Sequence, residues 1–169
     1  MKKITVDYEV IPSVVEEIVP PNATPEEVAA SLAEQKAKDV YLRHGGVVLG
    51  ADTVVAFENQ ILGKPKNQDD ARRMLKMLAG KTHRVVTGVA IYHDGGSVVD
   101  AVCTAVTFGK MTAEQIEKYV ATGSPMDKAG AYGIQDGYIP IEGLSGSYDN
   151  VVGFPTERIR ELLQEVLDK

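Results

Sequence analysis

"VVLGADTVVAF", residues 47–57, decides how this chain is read. Its apolar, β-branched composition describes a buried strand, yet Asp52 stands in the middle of it. An ionised carboxylate in such surroundings costs several kcal/mol unless a cation or a protic group meets it. The strand therefore implies a partner for Asp52 elsewhere in the chain, and that partner would mark a site.

Working outward, "ENQ" (58–60) predicts a turn and "ILGKP" (61–65) a returning strand. Upstream, "ITVDYEV" (4–10) alternates apolar and polar residues and predicts a further strand. Thr24, Pro25 and Glu27 then form a T-x-x-E capping box with proline at N1, opening a helix through about Tyr41. Downstream, Asn67 caps a helix predicted over Gln68 to Ala79, with Asp69 and Asp70 in its first turn and Gly80 as its stop. "RVVTGVAIY" and "VVDAVCTAVTF" flank the turn "HDGG" as a hairpin. Thr112 and Gln115 open another capped helix, and an amphipathic helix begins near Pro155. Strands and helices that alternate at these intervals predict an α/β fold. The glycine-rich stretch 124–153 is too long for an idle loop and is expected to carry a site.

Composition excludes several classes. The longest apolar run is about half of the roughly 20 residues a membrane span requires, and "MKKITVDYEV" lacks the apolar core of a signal peptide. A cytoplasmic protein without a membrane partner is expected. A net charge of −6 without a dense Lys/Arg block argues against sequence-independent binding of nucleic acid. The single cysteine, Cys103, excludes an intramolecular disulfide and a thiolate zinc site, and it is expected to pack in the core. The three histidines have no metal-binding spacing, and "GLSGS" (143–147) lacks the G-x-S-x-G spacing of a serine nucleophile.

The residues that break the pattern point to an anionic ligand. Lys36 interrupts the stripe Val28, Leu32, Val40 at four-residue spacing; it is either a snorkelling lysine or a buried cation with a partner. Lys64 sits between a glycine and a proline, which fixes where its ammonium lies. "MDKAGAYGIQDG" (126–137) combines Lys128, glycines and Gln135, a set suited to cradling phosphate and reading a base edge. Asp52, with the acidic pair Glu16 and Glu17, offers oxygen ligands for a divalent cation that bridges to phosphate.

Longer stretches carry a resemblance. "LGADTVV" (49–55), "LGKPKNQDDARRMLKMLAGKTHRVVTGVAI" (62–91), "YVATGSPMDKAGAYGIQ" (119–135), "GSYDNVVGFP" (146–155) and "AEQKA" (33–37) resemble the Maf family of nucleoside triphosphate pyrophosphatases. The resemblance implies an elongated mixed sheet flanked by helices, two lobes around a central cleft, and a homodimer. It implies a single domain over residues 1–169, shorter at its N-terminus than the family, because the family's opening S-x-S-P-R-R has no counterpart in this sequence. It makes Asp52 the proton acceptor, Lys36, Lys64 and Lys128 triphosphate contacts, and Thr53 and Gln135 determinants of the base. Glu16 becomes a further acidic residue that holds Mg²⁺ or Mn²⁺ together with Asp52. The wording "GADT" with "KAGAYGIQ" is similar to the branch that hydrolyses dTTP and UTP to the monophosphate and pyrophosphate. The alternative class is a nucleotide-binding or partner-binding protein without turnover, linked to septum formation.

Overall fold

The computed structural model describes residues 7–169. Five strands form one sheet: β1 (Val48–Phe57), β2 (Gln60–Leu62), β3 (Thr82–His93), β4 (Gly96–Phe108) and β5 (Ile141–Ser145). Their order is β2-β1-β3-β4-β5, and every pairing among the described residues is antiparallel. The helices are α1 (Pro25–His44), α2 (Gln68–Leu78), α3 (Ala113–Ala121), α4 (Tyr148–Val152) and α5 (Thr156–Leu167).

Helix α1 begins where the sequence places it. Thr24 accepts from the Glu27 amide while the Glu27 carboxylate accepts from the Thr24 amide, which satisfies two orphan donors at once. It runs to His44, one turn past expectation, and Gly45 closes it at φ 68°. The helix lies unusually close to the sheet because small residues meet on both sides. Ala29, Ala33 and Ala37, four residues apart, are fully buried against Gly50, Gly88 and Ala90. A Cβ on Gly88 would stand 2.0 Å from the Ala29 carbonyl oxygen, and one on Gly50 2.6 Å from that of Ala33. Lys36, beside Ala37, is thereby carried down onto β1.

The other face of the sheet holds the larger core. Val55, Phe57, Val85, Val106 and Phe108 pack against Leu75 and Leu78 of α2 and Ile116, Tyr119 and Val120 of α3. Ile159 and Leu162 of α5 cover Val89 and Ile91 further along β3. The stretch 124–153 is not an open loop. It folds into three 3₁₀ turns, at Ser124–Asp127, Ala129–Ala131 and Ile134–Asp136, followed by β5 and α4.

Two expectations are corrected. The "ITVDYEV" strand is absent over residues 7–10, where Tyr8 and Val10 are exposed and no ladder forms; residues 4–6 lie outside the described residues. Alternation alone does not make a strand, and residues 7–10 pair with no edge of the sheet. Cys103 is exposed rather than packed. It lies across from Val86 in the ladder but beside the solvent-facing Arg84, whose guanidinium also pairs with Glu26.

Candidate active site

The register of β1 creates the site. β1 pairs with β3 from Val48 to Ala56, but β2 covers only Val55 to Phe57. Among the described residues the outer edge of 48–54 therefore has no strand neighbour. A cleft of about 780 Å³ opens along that edge, within the range of small-molecule sites. Successive residues of a strand point to opposite faces, so Asp52 and Thr53 enter this cleft from its two sides.

On the α1 side, Lys36 donates directly to Asp52 Oδ1 and makes a second ion pair with Glu17 at 3.1 Å. The acidic partner at this point is Glu17, not Glu16, whose side chain is exposed and does not line the cleft. Glu17 arrives on an extended strap that lies along α1. Asp39 accepts from the Ser13 hydroxyl and the Val14 amide, and Gln35 both donates to and accepts from the Ile18 backbone. The Arg43 guanidinium beside Asp39, with the Val14 amide, holds that carboxyl down at about 2.

The electrostatics follow from partial burial. Desolvation raises the Asp52 carboxyl above its ordinary value; the Lys36 ammonium pulls it down, Glu17 pushes it up and Lys64 pulls more weakly from across the cleft. For Lys36, burial lowers the pKa, but Asp52 and Glu17 together more than offset that, so the ammonium is held charged. Asp52 therefore has the partner its burial requires. Its cation is Lys36, aimed inward from the apolar stripe of α1.

On the far side, Lys64 and Lys128 line the same cleft. Gly63, next to Lys64, accepts from the Gly130 amide at 3.1 Å, which joins the two loops. Gly130 has φ 70°, and a Cβ there would press on Val55 at 2.9 Å, so glycine is required where the loop crosses β1. Lys128 donates to the Ser124 carbonyl and hydroxyl and to Asp127 at 2.8 to 2.9 Å. Asp136 accepts from Tyr119 at 2.6 Å and Ser124 at 2.7 Å, and Gly133 donates to the Tyr119 hydroxyl. This network shapes the turn that presents Gln135, which is exposed at the rim.

Thr53 meets Thr87 of β3, hydroxyl to hydroxyl, at 2.9 Å. Behind it Asn150, fully buried, donates through its side-chain amide to Val85, Val102 and Thr104 and so fixes α4 on the sheet. His83 is buried as well, 2.7 Å from the hydroxyl of the cleft residue Tyr132, and burial lowers its pKa to about 4. Sequence reasoning named Glu17 only beside Glu16, to which it gave the site role, and passed over Thr87, Asn150 and Asp136. For Thr87 a signal existed: it is a polar residue inside the apolar run "RVVTGVAIY", as Asp52 is in its own.

Among the described residues, no group of three or more histidine, cysteine or acidic side chains is arranged to hold a metal. Two carboxylates do converge, on Lys36, and their hard oxygens suit a cation such as Mg²⁺ that completes its shell with phosphate and water. No described helix is long and apolar enough to cross a membrane.

Fold and cleft together define an α/β protein with an ion-paired carboxylate at an open strand edge, in a cleft lined by three lysines. The sequence model of the Maf-like protein family matches residues 1–166, and the chain belongs to that family. It is 48% identical over 167 residues to a dTTP/UTP pyrophosphatase of Thermococcus gammatolerans, covering 96% of this chain and 89% of the relative. A protein of the same name from Thermococcus onnurineus is 49% identical over 160 residues, 92% of this chain and 86% of its own length. One from Bacillus cereus is 46% identical over 167 residues, with 97% and 87% covered.

Proposed function

We propose that this chain hydrolyses dTTP and UTP at the α–β phosphoanhydride bond, giving the nucleoside monophosphate and pyrophosphate. The observation that carries the reading is Asp52, a partly buried carboxylate at the open edge of β1, ion-paired with Lys36 beside Glu17, in a cleft that Lys64 and Lys128 also line. The names of its relatives supply the nucleotide.

Asp52 takes the proton of the attacking water as its oxygen bonds to the α phosphorus. The bond from that phosphorus to the bridging oxygen breaks, and pyrophosphate departs with the electron pair. A carboxyl raised by desolvation is a better base near neutrality than an exposed one. Lys36, held protonated, exchanges part of its contact with Asp52 and Glu17 for phosphate oxygens, while Lys64 and Lys128 meet charge on the leaving group. Asp52 and Glu17 are the residues that would hold a divalent cation, Mg²⁺ or Mn²⁺; when bound it supplies charge neutralisation and Lewis acidity at the phosphates. Thr53 and Gln135, away from this cluster, contact the base.

Pyrophosphate release from dTTP and UTP with Mg²⁺ or Mn²⁺ tests the proposal. Asp52→Asn is expected to lower kcat by about 10²–10⁴-fold. A parent rate no higher than that of Asp52→Asn overturns it in favour of nucleotide binding without turnover. Glu17→Gln is expected to cost more than Glu16→Gln, and the reverse order would return the acidic role to Glu16. Gln135→Glu is expected to weaken the preference for pyrimidines.

A further inference from the structure

Thr53 lines the cleft, and its hydroxyl has a fixed polarity. Thr87 is fully buried, and its Oγ1 lies 3.0 Å from the backbone carbonyl oxygen of Asn150 and 2.9 Å from Thr53 Oγ1. A carbonyl only accepts, so Thr87 must give it the one proton it has; otherwise two acceptors would face each other in a dry site. The remaining contact then closes only if Thr53 donates to Thr87. The chain of donation runs Thr53 to Thr87 to Asn150. Its end is immobile, because the Asn150 amide is committed to Val85, Val102 and Thr104, and the Gly153 amide also donates to the Asn150 carbonyl. Among the described residues the Thr53 hydroxyl has no other hydrogen-bond partner.

We infer that Thr87 and Asn150 leave Thr53 with only lone pairs to offer the base, and that this selects bases carrying an imide N–H. Uracil and thymine present N3–H between two carbonyls. Cytosine presents a lone pair at N3, which meets the lone pairs of Thr53 unfavourably. Thr87 is thus a positioning residue for specificity that never touches the nucleotide. The inference rests on the base contact proposed above for Thr53.

The test compares UTP with CTP, as the ratio of kcat/KM in the parent and as the ratio of Kd in Asp52→Asn, which reads recognition without turnover. Thr53→Val and Thr87→Val are both expected to lower the UTP preference by roughly tenfold. Thr87→Ser, which keeps the hydroxyl, retains it. UTP methylated at N3 is expected to fall to the level of CTP with the unaltered protein, so the inference is testable even if a Thr87 variant does not fold. A ratio that falls in Thr53→Val but not in Thr87→Val overturns the relay. Full acceptance of the N3-methyl nucleotide, or equal Kd for UTP and CTP, overturns the polarity. Absence of turnover in the parent defeats the hydrolase reading alone, because the Kd ratios still decide this one.

Discussion

Replacing Lys36 by methionine keeps the length and apolar stem of the side chain and removes the charge that meets Asp52. Losing one member of a buried ion pair costs about 3–5 kcal/mol. Here the Lys36 and Asp52 side chains retain 28% and 14% of their exposure, so water screens part of that, and about 1–2 kcal/mol is expected at pH 7. A ceiling follows independently, since Asp52 can protonate instead. From the ordinary carboxyl value of 3.8, that costs about 4 kcal/mol at pH 7 and about 1.6 at pH 5, at 1.36 per unit. The sign is fixed: without Lys36 the folded-state pKa of Asp52 rises further, so the deficit is full above that raised pKa. It vanishes as pH falls below about 4, where both folded and unfolded chains carry the proton. Urea denaturation of parent and Lys36→Met at pH 7, 5 and about 4 measures it, and adding Asp52→Asn should restore most of the loss. A Lys36→Met protein as stable as the parent at pH 7, or a deficit indifferent to pH, would refute the claim that this ion pair answers the burial of Asp52.

Other expectations are as direct. Gly88→Ala drives a methyl into the Ala29 carbonyl and should lift α1, costing about 3 kcal/mol and lowering activity by withdrawing Lys36 from Asp52; unchanged stability in urea would contradict the close helix contact. His83 is held at about 4 against an ordinary 6.5, so the unfolded chain takes up its proton first. Stability should therefore fall as pH drops from about 6.5 to 4, by at most about 3 kcal/mol from this group. His83→Phe should flatten that part of the curve when unfolding is followed from pH 8 to 4, and an unaltered slope would assign it to other groups.

Much of the fold was legible because it is written in local chemistry. The capping boxes at Thr24 and Thr112, the asparagine cap at Asn67 and the glycine turn after His93 are contacts between near neighbours, and each formed where it was read. The anomaly of Asp52 was legible too, because a carboxylate in a β-branched run is costly in any fold. What failed depended on distant partners. Residues 7–10 carry a strand's alternation without a strand's neighbour, and Cys103 sits in an apolar run whose coverage by α1 ends beside Arg84 and Glu26.

By itself the sequence determined which residues break the rules: Asp52 in its strand, Lys36 in its stripe, Lys128 and Gln135 among glycines. Only the tertiary structure decided how they combine. The alanine and glycine contact between α1 and the sheet sets the depth at which Lys36 meets Asp52, and the strap held by Asp39 and Gln35 brings in Glu17 in place of its neighbour Glu16. The short β2 leaves open the edge where the cleft forms. Registers, strap anchors and helix distances are set by contacts between residues far apart in the chain, and composition and spacing along one segment carry no record of them.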